Sequence, residues 1–272
     1  MKATHPVWAV LISVVVMFAQ ILLGTAPVTL LMDRRNVLYQ PLGVLGITLA
    51  SLLLVYLVRR FLGRQSWSGV GLTRSWSAVP ETLLGLLAGA VPVIAGNAVS
   101  VALGAATWVP WRETVAPALP LLPLVAAVIV LGQAFPEELL WRGHLQDTLS
   151  GRLSPRAVLV VVSVGFGALH IVSNSPADTL AERLLFVVTA TALGFACAAA
   201  RVRGGALWMA VGVHTGFHLG HRLLPTQDLA YGVQLVVLAC ALTLTGLVLL
   251  APFGRKGRQA EDGQGRIATK SA

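Results

Sequence analysis

The sequence predicts an all-α membrane protein: a polytopic transmembrane helical bundle of about eight helices, with both termini in the cytoplasm. Three observations carry this. Of 272 residues, 56% are apolar and only 11% are charged, whereas a soluble domain carries roughly 25% charge. The apolar residues form long continuous runs rich in Leu, Ala, Val and Gly, without the alternation of barrel strands, so the runs must satisfy their own backbone as helices. Finally, the basic residues divide unevenly between the two sides that eight spans define.

In chain order the expected spans are Val7–Met32, Pro41–Leu62, Val79–Trp108, Ala118–Phe135, Ala157–Val172, Leu184–Ala200, Gly205–Leu219 and Gly232–Phe253. Most approach the ~20 residues a helix needs to cross ~30 Å of hydrocarbon. The first follows only Lys2 and is longer than a signal-peptide core, so it reads as a retained helix. The fifth and seventh are short, and each holds a histidine. Of the 20 Lys and Arg residues, fifteen share the side of the termini, leaving Arg34, Arg35, Arg112, Arg183 and Arg222 on the other. That bias places both ends in the cytoplasm. The net charge of +9 therefore reflects topology and attraction to anionic lipid rather than nucleic acid.

The expected organisation is a transmembrane bundle over residues 1–253, with a functional core at about 118–219, and a basic, disordered cytoplasmic tail at 254–272. Trp108 and Trp111 suit an aromatic belt on the outer side. Cys197 and Cys240 lie inside apolar spans and read as buried thiols without a disulfide framework. No internal repeat or soluble domain is visible.

Ionisable residues inside the spans point to function, because a charge there is costly unless it is used. They fall in Pro136-Glu137-Glu138-Leu139-Leu140-Trp141-Arg142, in Phe166-Gly167-Ala168-Leu169-His170, and at His214 and His218. Successive helical residues point about 100° apart, so Glu137 and Glu138 face different ways. Glu138 and Arg142 stand at i, i+4, the favourable order for an ion pair, which leaves Glu137 for the bundle interior. His214 and His218 share one helix face, as two ligands of a metal or two donors to one group. Taken singly, His170 reads as a packing histidine, and His144 and His221 near the span ends earn no more. At 1.5 Å per residue from the cytoplasmic side, Glu137, His170 and His214 come out at roughly 20, 21 and 16 Å. This agreement in depth suggests one site, reached from the cytoplasmic side.

A carboxylate with imidazoles opposite it fits hydrolysis by an activated water. In one version His170, His214 and His218 bind a divalent metal such as Zn²⁺, and Glu137 acts on the metal-bound water. In the other, Glu137 and His170 orient the water, while His214 and His218 stabilise the oxyanion. No Ser or Cys sits in a nucleophile motif, and Cys197 is isolated in an Ala-rich helix.

Glu137-Glu138 with Arg142, Phe166 with His170, and His214 with His218, in that order, resemble the three motifs of the CAAX prenyl protease and bacteriocin-processing family, also called the Abi family. The resemblance covers roughly Leu121–Leu219 and extends to Leu207-Trp208 and Gly212–Phe217. It implies an intramembrane endopeptidase in which Glu137 activates water, His170 and His214 are the essential imidazoles, and Glu138 and Arg142 support them. The chain departs from the family at the last motif position, where the usual asparagine is His218. Members act on prenylated proteins in eukaryotes and are linked to bacteriocin maturation and self-immunity in bacteria. The Ala/Val/Arg-rich composition points to a bacterial plasma membrane. The partners expected are membrane lipids and a peptide or protein substrate presented at the cytoplasmic side. Two other classes compete: a non-catalytic immunity or scaffold protein of the same fold, and a proton-coupled transporter. The intact glutamate and histidines speak against the first, and the lack of internal repeats against the second.

Overall fold

The computed structural model describes residues 5–252; the expected tail at 254–272, Lys2 and Phe253 lie outside the described residues. Eight helices make up the bundle: α1 Pro6–Leu31, α2 Tyr39–Gly63, α3 Ala78–Ala102, α4 Ala116–Ser150, α5 Pro155–Val172, α6 Leu180–Gly204, α7 Trp208–Leu223 and α8 Tyr231–Leu250. Seven of them are long and apolar enough to cross a bilayer; α7, with 16 residues, is the short one.

Two expected boundaries are corrected. The third span stops at Ala102 rather than Trp108, because Thr107–Trp108 pairs antiparallel with Thr226–Gln227 and ties two connections together. The fourth does not stop at Phe135 but continues to Ser150. Its second half is the centre of the core: Leu139, Leu140, Trp141, Leu145 and Leu149 are all fully buried.

Small and polar residues set the helix contacts, as expected where lipid supplies no hydrophobic contrast. In α1 the buried positions are Ala9, Ser13, Val16, Gln20, Gly24 and Val28, a seam three to four residues apart. The seam packs on α2, where Gly24 and Gly46 approach so closely that a Cβ on either would meet the other helix's backbone. Along α3 and α7, Gly85 meets Met209 and Gly212, Gly89 meets Val213 and Phe217, and Gly220 meets Val93. The order of these contacts makes α3 and α7 parallel. Likewise α6 and α8 run parallel, from Thr189 donating to the Leu235 carbonyl (3.0 Å) to Arg203 donating to that of Ala251 (3.0 Å). In the same way α2 and α4 run from Val44 at Gly132 to Arg59 at Asp147 (2.7 Å).

Odd-numbered helices therefore run one way and even-numbered helices the other. One face of the bundle, here called proximal, holds His5 and Pro252 together with connections 64–77, 151–154 and 205–207. The distal face holds connections 32–38, 103–115, 173–179 and 224–230. Proximal connections are tied down by Leu207 N–H to the Gly71 carbonyl (2.9 Å) and Trp208 Nε1 to the Thr73 carbonyl (2.9 Å). On the distal side, Asn97 Nδ2 donates to the Leu224 carbonyl (2.9 Å) and Gln234 Nε2 donates to Asn97 Oδ1 (3.1 Å). Trp108 and Trp111 lie on this distal side, both about 40% exposed.

Candidate active site

The site is built around an irregular stretch of α4. The helix widens to π geometry over Val130–Ala134, returns to α over Phe135–Glu138, and widens again over Leu139–Leu145. Pro136 accounts for the first change. It has no N–H to give, and its ring clashes with the turn before it. In the π register Phe135 N–H bonds the Val130 carbonyl, so position 136 would have served Leu131. That carbonyl instead accepts from the Thr48 hydroxyl on α2, the kind of replacement that makes proline tolerable inside a membrane helix. Ser51 on α2 donates to the Pro136 carbonyl itself (3.3 Å). Glu137 and Glu138 occupy the short α-helical turn between the two widened segments, a setting in which π-bulges frequently mark function.

The two carboxylates have different surroundings. Glu138 is fully buried; its Oε1 accepts from Arg142 Nη1 (3.0 Å) and from His214 Nδ1 (2.8 Å). Arg142, also fully buried, donates through Nη2 to the Gly194 carbonyl of α6 (2.7 Å) and lays its guanidinium 4.6 Å from the Phe166 ring centre. Charge is thus matched within a group drawn from α4, α5, α6 and α7, while Glu138 Oε2 and Arg142 Nε are buried without hydrogen-bond partners. Glu137 is 8% exposed, and its Oε2 has no hydrogen-bond partner.

Glu137, His170, His214 and His218 all line one cavity of about 470 Å³. His170 Nδ1 lies 2.9 Å from the Phe166 carbonyl. A carbonyl only accepts, so Nδ1 carries the proton and Nε2 is left with its lone pair. His214 and His218 stack with ring centres 5.2 Å apart and planes at 22°. His218 Nε2 is buried without a partner. Phe166 fits among these groups, with its ring centre 4.8 Å from His170 and 5.9 Å from His214. Trp141 meets it edge-on at 5.9 Å. Close approach of α5 and α6 requires a glycine at 167, since a Cβ there would meet Thr191.

Several contributors were invisible in sequence. Met17, Phe18 and Ile21 of α1 form one cavity wall, and Gln133, Ser173 and Asn174 add polar groups to it. Cys197 is no bystander of an Ala-rich helix: its sulfur, one oxygen of Glu138 and a ring nitrogen of His214 lie within 4.8 Å of one another. It is buried as expected, whereas Cys240 is exposed on the outside of α8, because that position faces away from the bundle; both are free thiols.

Among the described residues, Glu138, Cys197 and His214 are the trio whose potential ligand atoms converge; the three histidines on the cavity wall do not. An imidazole binds a metal in its own ring plane, and two nearly parallel stacked rings do not aim their lone pairs at one point. The convergent trio fits a resident cation no better. Glu138 Oε1 already serves His214 and Arg142, and the buried guanidinium occupies the place of positive charge.

Residues 119–220 match the family described as type II CAAX prenyl endopeptidase, Rce1-like. The matched stretch runs from the first turn of α4 to the last turns of α7 and contains Glu137, Glu138, Arg142, Phe166, His170, His214 and His218. No curated protein is matched. Through this α4–α7 core the chain is similar to the CAAX prenyl protease family.

Proposed function

We propose that the protein is an intramembrane endopeptidase that hydrolyses peptide bonds with a water activated by Glu137. The observation that carries this is the pairing pattern of the two glutamates. Each leaves Oε2 without a hydrogen-bond partner, but Glu138 is tied through Oε1 to Arg142 and His214 and is not part of the cavity wall, while Glu137 lines the cavity that also holds His170, His214 and His218. At about 470 Å³ the cavity is within the size range of small-ligand sites and takes a short extended peptide with its attacking water.

In this reading Glu137 accepts the proton of the water as its oxygen bonds to the scissile carbonyl carbon, and His170 Nε2 holds the same water from the other side. The carbonyl π pair moves onto oxygen, where His218 is placed to donate to it; His214, whose Nδ1 proton is given to Glu138, adds a second donor through Nε2 only as an imidazolium. Collapse of the tetrahedral intermediate breaks the C–N bond, and the proton held by Glu137 passes to the leaving amine. The reaction consumes one water and needs no covalent enzyme intermediate. Glu138 and Arg142 orient His214 without touching substrate. His218 stands where the family usually has an amide, and an imidazole N–H supplies the same donor.

The test is cleavage of a fluorogenic peptide library by detergent-purified protein, compared with Glu137→Ala and with chelator added. Turnover that vanishes in Glu137→Ala and persists in chelator is expected. Chelator-sensitive turnover would favour the metal-dependent version. If wild type and variant are equally inert while the variant keeps the cellular phenotype, a scaffold or immunity role replaces catalysis.

A further inference from the structure

We propose that the outer face of α5, α6 and α8 binds one anionic phospholipid, its phosphate at Arg156 and one acyl chain in a groove that ends near mid-membrane. The groove is separate from the catalytic cavity. It depends neither on the peptidase reading nor on which face of the bundle meets the cytoplasm.

The groove follows from what α6 leaves between its two neighbours. Val188, Thr191, Ala192 and Phe195 recur at helical spacing on one face of α6 and form the floor of a cavity of about 480 Å³. Val160 and Val164 of α5 stand along one side, with Thr243 and Leu250 of α8 along the other. Val160, Val164, Val188 and Thr243 are all exposed, so the cavity faces lipid. On the α8 side, the Phe195 ring takes the space that a Cβ on Gly246 would need. Toward the distal face, Gly167 lets α5 close onto Thr191, which ends the groove. The floor also backs the catalytic residues, since a Cβ at Gly194 would crowd the Ser163 carbonyl, Phe166 and Arg142.

The chemistry of the lining calls for a hydrocarbon chain. Three hydroxyls border the groove, yet each spends its proton on its own helix. Ser163 donates to the Leu159 carbonyl (2.6 Å), Thr191 to that of Val187 (2.8 Å) and Thr243 to that of Ala239 (2.7 Å). No Asp or Glu lines the groove. An extended peptide laid there would leave its backbone groups unpaired, at a cost that an alkyl chain does not incur. From Arg156 to Val164, α5 rises roughly 12 Å, close to the ~15 Å of one leaflet's hydrocarbon.

The proximal end of the same groove calls for a phosphate. Arg156 lines it, is exposed, and makes no hydrogen bond or ion pair among the described residues. It stands in the first turn of α5, which carries no acid. Pro155 has no N–H, Ala157 N–H goes to Ser154 Oγ (3.3 Å), and Val158 N–H goes to the Ser154 carbonyl (3.0 Å). The backbone N–H of Arg156 is thus left beside its own guanidinium. Phosphate oxygens accept from both, and the N-terminal end of the helix adds to the attraction. An apolar channel one leaflet deep with an unpaired cation at its mouth matches a molecule that joins an acyl chain to a phosphate. A zwitterionic headgroup brings its own cation to compete with Arg156, so an anionic one is preferred.

The test uses the full-length chain, purified in detergent, stripped of lipid and titrated with phosphatidylglycerol or phosphatidylcholine, with bound lipid counted by native mass spectrometry. Wild type is expected to take up one phosphatidylglycerol at a concentration at least about tenfold below that needed for phosphatidylcholine. Arg156→Gln should bring the two lipids within about threefold of each other. Thr243→Trp and Val164→Trp are changes at exposed positions whose new rings fill the groove from opposite sides. Each should weaken binding of both lipids at least about tenfold, and having two keeps the test decisive if one fails to fold. Leu244→Trp, exposed on α8 outside the groove, should change neither. Glycerol 3-phosphate, which has the phosphate without the chains, should not displace the lipid even in large excess. The inference is overturned if no one-to-one binding is seen, if Arg156→Gln keeps the wild-type preference, or if glycerol 3-phosphate displaces the lipid. It is also overturned if the two filling variants bind lipid as wild type does, and a dimer that Thr243→Trp dissociates would then make the groove a contact between copies.

Discussion

Replacing Glu138 with Leu separates the supporting role of this residue from catalysis. In the native bundle Glu138 is the acceptor for Arg142 and for His214, and all three are at most 1% exposed. Without it, Arg142 keeps only the Gly194 carbonyl and the face of Phe166. Removing one partner of a buried ion pair costs about 3–5 kcal/mol, and an unsatisfied His214 Nδ1 adds about 1–3 kcal/mol. Glu138→Leu should therefore lose about 4 kcal/mol or more. The double variant Glu138→Leu/Arg142→Met also removes the stranded cation, leaving His214 Nδ1 unpaired while the Gly194 carbonyl keeps its helical partner, a cost of about 1–3 kcal/mol. It should be the more stable of the two by about 2 kcal/mol, a factor of roughly 30 in the unfolding equilibrium. The assay is reversible unfolding by sodium dodecyl sulfate in mixed micelles, followed by tryptophan fluorescence, with Arg142→Met completing the cycle. The reasoning is refuted if Glu138→Leu stays within about 1 kcal/mol of wild type, or if the double variant is less stable than the single one.

Three other outcomes follow from the same contacts. His218→Asn should keep turnover within about tenfold of wild type, while His218→Leu, which has no donor, should lose about 10²–10³ in kcat; steady-state kinetics on one cleaved peptide decides. At Gly89 a Cβ would meet the backbone of Val213 on α7, so Gly89→Leu should cost about 1–3 kcal/mol or more by overpacking and displace His214, read as a lower midpoint in the same unfolding assay. Phe18→Ala should enlarge the cavity wall on α1 and raise KM by about tenfold, a loss of roughly 1–3 kcal/mol of apolar contact, with kcat little changed.

The fold was legible wherever a run of apolar residues had to hide its own backbone: each of the eight expected spans has its helix, although the third ends earlier and the fourth runs on to Ser150. The motif residues stood out for a related reason, since ionisable groups are costly in lipid, and Glu137, His170 and His214 do line one cavity. The rest depends on contacts distant in sequence. The carbonyl orphaned by Pro136 is answered by Thr48, more than eighty positions earlier, and no local pattern announces that exchange. Cys197 looked isolated because its neighbours in the chain are alanines, yet those small residues are what let α6 approach Glu138 and His214. The contribution of α1 to the cavity was hidden because Met17, Phe18 and Ile21 read as ordinary lipid-facing residues. Depth along single helices put Glu137, His170 and His214 at similar levels, and all three line one cavity.

The central claim is that Glu137 takes a proton from the attacking water. It is tested most directly by turnover of one susceptible peptide in proteoliposomes by wild type and Glu137→Gln, an isosteric change that keeps volume and hydrogen bonding but removes the base. The account requires Glu137→Gln to unfold at the wild-type denaturant concentration and to show at least about a hundredfold loss of kcat. Wild-type turnover by a folded Glu137→Gln protein would contradict it.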